Sequence, residues 1–273
     1  MADEKKPTLH QSNFATLSKC GMQYYFGTVQ KIRVPPGVAM VRGTSVHASV
    51  RRDLAEKREK GTLLPLDAVK DFAAEALDNT WLGEEPQLNE EEREVGAKAV
   101  KARTKEVVVA LSVLHHVEVA PKITPIHLER EFRVVLNGFP FDLGGTIDLQ
   151  EPEDLVDTKT GSKSPAADAA DKSVQLTMYS LAAKVLDGKA PKTVRLDYLV
   201  DTKTPKAVSL ASTRTDDDRQ RLLLRVEHAA RVIQSGAFMP ADSSLPGVWW
   251  CSDLFCGFWR DICPFGRRNR AQV

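Results

Sequence analysis

Two aspartates and a lysine stand close together in the stretch GGTIDLQEPEDLVDTKTG, residues 144–161. Asp148 lies between Ile147 and Leu149, Asp157 follows Val156, and Lys159 comes two positions later. The flanking runs read as β-strands, and Glu151-Pro152-Glu153-Asp154 supplies a turn between them. If Gln150 pairs with Leu155, the same register sets Asp148 opposite Asp157, with Cβ atoms about 4.5–5.5 Å apart. Lys159 then projects on the face of Asp157, while Ile147, Leu149 and Val156 turn toward a core. A slip of one residue would undo this arrangement.

Two carboxylates so placed repel each other and add nothing to folding unless positive charge sits between them. A hard divalent cation with oxygen ligands, Mg²⁺ or Mn²⁺, answers that need. Such an ion activates water and polarises a phosphodiester oxygen, and a nearby lysine can steady the attacking water or the developing negative charge. The competing reading is a solvated charged face on an edge hairpin, with Lys159 neutralising Asp157. Further along, Gln175 and Tyr179 are spaced to share one face of a helix. Taken alone, they read more readily as an ordinary, partly buried pair. Upstream, His47 on a helical stretch is either a structural histidine or an imidazole metal ligand.

The elements that must position these residues follow from periodicity. Ser12 is expected to cap a short helix over NFATLSKC, and helical patterns cover about Met40–Lys60 (closed by Gly61), 66–80 and 89–116. Residues 1–120 are therefore mainly helical. Strand-like runs follow in IHLEREFRVVL, FPFDLGGTIDLQ and DLVDTKT, the first two joined through Asn137-Gly138. A helix from about Asp171 to Leu186 carries Val174, Met178, Leu181 and Val185 on one stripe. TVRLDYLV and AVSLAS form a second strand pair, and a helix from about Thr215 to Ser235 ends before Gly236. This order predicts an α/β fold, a mixed sheet flanked by helices with a helical N-terminal region. One domain is expected over 1–273, with its core at about 121–236.

Composition narrows the class. The 273 residues are 42% hydrophobic and 27% charged, ample for a core, and the net charge of +1 does not advertise a polyanion partner. A nucleic-acid site would have to be a local groove. The opening MADEKKPTLH has no apolar signal core and no run approaches a membrane span, so a cytoplasmic protein with no membrane partner is expected.

Three short patterns occur in order: G-x-x-D at Gly145–Asp148, V-D-x-K-T-G at Val156–Gly161, and Q-x-x-x-Y at Gln175–Tyr179. Together with RGTSVH, ending at His47, they resemble the RecB branch of the PD-(D/E)XK nuclease superfamily, over nearly the whole chain. The resemblance implies a restriction-endonuclease-like core. His47, Asp148, Asp157 and the Thr158 carbonyl would hold the catalytic metal, Lys159 would be the catalytic lysine, and Gln175 and Tyr179 would orient the site and the DNA.

Four cysteines remain, and disulfides are not expected in a cytoplasmic chain. Cys20 stands alone, whereas Cys251, Cys256 and Cys263 crowd the segment WWCSDLFCGFWRDICPF, residues 249–265. Thiolates suit zinc or an iron–sulfur cluster. One cysteine upstream and three at the C-terminus resemble the iron–sulfur staple of AddB-type nucleases and CRISPR-associated exonucleases. That likeness implies a 4Fe-4S cluster forming a C-terminal iron–sulfur lobe joined to Cys20. Trp249, Trp250, Phe255, Phe258, Trp259 and Phe265 would shield the cluster. The C-x4-C-x6-C gaps are longer than in those relatives, so zinc and unligated thiols stay open.

The resulting expectation is a metal-dependent deoxyribonuclease, an exonuclease on single-stranded DNA or DNA ends. The chain has no G-x-x-x-x-G-K-[ST] loop, so unwinding would need a helicase or recombination protein as partner. The rival readings are an inactive DNA-binding accessory module and an endonuclease that trims DNA within a larger complex. Tyr24, Tyr25 and Phe26 are either a base-stacking platform or core.

Overall fold

The structure is a computed structural model, described over residues 6–266. It begins with β1 (Thr8–His10), a strand too short to leave a periodic signal, and then α1 (Gln11–Lys19) and α2 (Gly21–Tyr24). Extended backbone at Cys20, φ −157°, separates the two helices. Ser12 does not cap α1. His10 holds the cap position, and the Ser12 hydroxyl, already inside the helix, donates to Asn13. A π-helical turn at Tyr25–Val29 follows.

Next come α3 (Val38–Lys60) and α4 (Leu66–Glu84), the former closed as expected by Gly61 in the left-handed region at φ 77°. The single helix expected over 89–116 is two, α5 (Glu90–Val95) and α6 (Ala97–Leu114). Gly96 breaks them apart at φ 89°, a conformation that suits glycine. Asn89 and Glu92 close a reciprocal capping box at the start of α5. After α6 the chain widens into a π-helical turn, His115–Val119.

The strands are β2 (His127–Val134), β3 (Asp142–Gln150) and β4 (Asp154–Gly161), with Gly138 at φ 80° in the first connection. The helix expected from Asp171 is divided into α7 (Ala169–Lys172) and α8 (Val174–Leu186), because Ser173 leaves helical backbone to cap α8 through Leu176 N–H. Val185 is exposed, not part of a buried stripe, since α8 buries Leu176, Met178, Tyr179 and Ala182 instead. Then come β5 (Thr193–Val200), β6 (Lys206–Ser212) and α9 (Asp216–Ser235).

The chain forms two compact units. One comprises 36–132 and 146–219, the other 1–35, 133–145 and 220–273. In the first, β3, β4, β5 and β6 are neighbours in that order. The β3–β4 and β5–β6 pairs are antiparallel; β4–β5 is parallel, its crossover made by α7 and α8. The predicted mixed sheet is therefore present. Val46, Val50 and Leu54 of α3, Leu77 of α4 and Val108 and Leu111 of α6 bury against Leu149, Val156 and Leu199 of the sheet. In the other unit, β1 runs parallel to the start of β3, with Leu9 facing Leu143. Residues 237–266 of that unit contain turns without helix or strand. No helix among the described residues is long and apolar enough to cross a membrane.

Candidate metal centre

The hairpin register is the one expected: Gln150 pairs with Leu155 and Leu149 with Val156. Beyond these pairs the ladder changes character. Asp148 offers its carboxylate to the neighbouring strand, Oδ2 accepting from Thr158 N–H at 3.1 Å. The two aspartates, expected as a facing pair, thus take different surroundings.

Asp157 is buried, 1% exposed, and its Oδ1 accepts from Gln175 Nε2 at 2.6 Å and from Tyr179 Oη at 3.2 Å. Gln175 Nε2 also reaches Tyr179 Oη at 2.9 Å, while Gln175 Oε1 accepts from Lys159 Nζ at 2.9 Å. The same Nζ lies 2.7 Å from Asp157 Oδ2. That oxygen has an ion-pair contact but no hydrogen bond of good geometry, and it is wholly buried. The ring Asp157–Lys159–Gln175–Tyr179 is closed. The i, i+4 spacing on α8 delivers both of its members to one face, and Tyr179 is locked edge-on against Phe132, centroids 6.3 Å apart.

His47 comes from α3, which lies close on β4. A Cβ on Gly43, one turn before His47, would meet Thr160 Oγ1 at 3.3 Å, so glycine in RGTSVH serves this approach. His47 Nδ1 is 3.4 Å from Asp148 Oδ2, and the ring also hydrogen-bonds the Thr158 backbone. Among the described residues, the group of three ligand side chains whose atoms lie within 4.8 Å of one another is His47, Glu129 and Asp148. Asp157 is not in it. Sequence reading missed Glu129, one acid in the charged run HLEREFR, where nothing marks it from Glu131.

Electrostatics agree that the site is built for a cation. Burial, reinforced by the Asp157 charge, pushes the Asp148 carboxyl up to about 8, against the pull of Lys159 and Thr158 N–H. Burial lowers His47 and raises Glu129. The shift at His47 keeps the imidazole neutral, the form a metal requires, whereas those at Asp148 and Glu129 disfavour the carboxylates it requires, a cost that a bound divalent ion reverses. The donor set of imidazole, carboxylates and a carbonyl suits Mg²⁺ or Mn²⁺.

All four cysteines lie in the other unit, and no disulfide joins them among the described residues. Cys20 Sγ accepts from Ala241 N–H at 3.3 Å, and the Cys251 thiol faces the Ala241 carbonyl at 3.8 Å. Burial raises the Cys256 and Cys263 thiols, and Cys20 is close enough to raise both further. Glycine at 21 permits this: a Cβ there would stand 2.7 Å from Met239 N. The aromatic shield is only partly realised. Phe258 and Trp259 are buried, but Trp249 (63% exposed), Phe255 (58%) and Phe265 (50%) face solvent. Their positions in turns leave no layer to cover them. Tyr24 and Phe26 are core, packed against Phe238 and Phe258.

A mixed sheet carrying paired acids, a lysine and a helical Gln–Tyr pair defines a nuclease of the restriction-endonuclease-like class. The chain belongs to the PD-(D/E)XK nuclease superfamily, which it matches over residues 8–264. A solved structure from Eubacterium rectale, named "Putative exonuclease", shares the fold at a TM-score of 0.54 and 12% identity, covering 88% of this chain and 86% of its own. The solved protein SSO0001 is 14% identical, covering 93% and 96%, at a TM-score of 0.37, too low to support an argument. No curated protein matches the chain.

Proposed function

We propose that this protein is a metal-dependent deoxyribonuclease, an exonuclease that hydrolyses phosphodiester bonds from single-stranded DNA ends. The closed Asp157–Lys159–Gln175–Tyr179 ring carries the reading, because an inactive descendant has no need to keep Lys159 ion-paired to a buried aspartate. The exonuclease part draws on the name given to the E. rectale protein of like fold.

His47, Asp148, Asp157 and the Thr158 carbonyl would hold the divalent cation, which when bound supplies Lewis acidity toward the scissile phosphate and an acidified water. Lys159, with a side chain 37% exposed above a 1% exposed Asp157, presents its ammonium to the incoming phosphate and the water beside it. Gln175 fixes that ammonium from one side while holding the Asp157 carboxylate from the other. Tyr179 keeps Asp157 from rotating.

The four cysteines would hold a 4Fe-4S cluster that staples the α1–α2 junction to residues 251–263. Zinc held by the same four thiolates is the alternative. Single-stranded DNA ends are the proposed partner, with a helicase or recombination protein supplying unwinding.

The test is cleavage of end-labelled single-stranded DNA with Mn²⁺ or Mg²⁺, beside Asp157→Ala and Lys159→Ala. Both substitutions should lower the rate by at least about a hundredfold. Cutting of circular single-stranded DNA would make the enzyme an endonuclease, and binding without cleavage across metals would make it an accessory module. Iron and sulfide in anaerobically purified protein check the cluster; their joint absence would end that part.

A further inference from the structure

Glu129 has no place in the motifs that carried the sequence reading, yet it reaches the centre. It sits on β2 with φ 49°, the left-handed region that glutamate rarely occupies, inside an otherwise extended strand. A residue so disposed leaves the alternation of its strand and re-aims its side chain. The result is a half-buried carboxylate within 4.8 Å of ligand atoms on both His47 and Asp148. No hydrogen bond or ion pair of Glu129 is found among the described residues; Arg51 supplies its opposing charge from a distance. Elsewhere on β2, Arg130 and Arg133 have carboxylate partners within 2.8 Å. An acid turned away from such partners and toward a second acid destabilises the metal-free fold. Asp157, meanwhile, accepts from Gln175 and Tyr179 at Oδ1 and keeps Oδ2 2.7 Å from Lys159 Nζ.

We infer that Glu129 is a ligand of the divalent cation, grouped with His47 and Asp148. The inference rests on the nuclease reading of the site, and it adds β2 to the elements that hold the ion. A ligand of this kind has a signature that a structural glutamate lacks. Removing its charge relieves repulsion in the metal-free protein but weakens the ion's hold.

Mn²⁺ alone is the probe, followed by titration calorimetry and by melting with and without the ion. Glu129→Gln should bind Mn²⁺ about tenfold or more weakly, melt no lower than wild type without metal, and gain less from Mn²⁺. Glu129→Asp should recover part of the affinity. Glu129→Gln with wild-type Mn²⁺ affinity overturns the inference, as does a fall in metal-free melting with affinity unchanged. If Asp148→Asn weakens binding while Glu129→Gln does not, Glu129 fails alone. If wild type takes up no Mn²⁺, the metal-dependent reading itself fails.

Discussion

The acidic centre and the cysteine segment solve opposite problems. In the first, all but Glu129 come from regular structure: strand register sets Asp148 and Asp157, helix periodicity sets Gln175 and Tyr179, and a glycine contact sets the height of His47. Its polar ring closes with no metal needed. In the second, residues 237–266 have no helix or strand, and the cysteines are held through turns and the Ala241 backbone. A site made by secondary structure waits for its ion already formed. A site made by turns has no such scaffold, so the two should respond differently to losing one residue.

The largest effect is expected at the cysteines. Cys20→Ala should lose iron and sulfide together and lower the melting temperature by roughly 10 °C, the size of about 3 kcal/mol in a chain of this length. Metal analysis and calorimetry would show it, and retained iron would mean that the staple lies elsewhere. Tyr179→Phe comes next. It removes one hydrogen bond to the Asp157 carboxylate, worth about 1.5–3 kcal/mol, and should slow single-turnover cleavage by about tenfold or more while the fold survives. A melting loss without a rate loss would put Tyr179 on the structural side of the comparison.

A smaller effect, read by pH, belongs to the unit of the acidic centre alone. Asp148 is raised from its ordinary 3.8 to about 8, so the stability it contributes is complete below pH 3.8 and is lost as pH rises through 8. His115, buried and lowered from 6.5 to about 3, acts oppositely: its contribution is present above 6.5 and lost as pH falls toward 3. Between pH 6.5 and 8, Asp148 acts unopposed by His115. Metal-free protein should therefore lose stability over that interval, by at most about 1.4 kcal/mol per pH unit, and Mg²⁺ or Mn²⁺ should restore it. Asp148→Asn should flatten the decline, a comparison made by denaturant titration at the two pH values.

The smallest effect is at Trp249. Because 63% of the residue is exposed, Trp249→Ala should shift stability by no more than about 0.5 kcal/mol. Phe258→Ala, buried against Phe26, should cost about 3 kcal/mol, level with the loss at Cys20 and well above that at Trp249. If the two came out alike, Trp249 would belong to the shield after all.

Sequence alone determined the β3–β4 hairpin and its register, the i, i+4 pair on α8, the mixed α/β order and the family. Each follows from a short-range rule, a turn between alternating runs or a helical repeat, that neighbouring residues obey without outside help. Helix breaks at Gly96 and Ser173 were half visible, since both residue types are written there but neither compels a stop. Only the tertiary structure decided that Glu129 joins His47 and Asp148, that Asp157 instead closes a ring with Lys159, and that half the expected aromatic shield faces water. Those outcomes depend on which surfaces α3, β2 and the turns of 237–266 present after packing. Contacts between residues 82 or 221 positions apart, such as Glu129 with His47 or Cys20 with Ala241, leave no periodic trace in the chain.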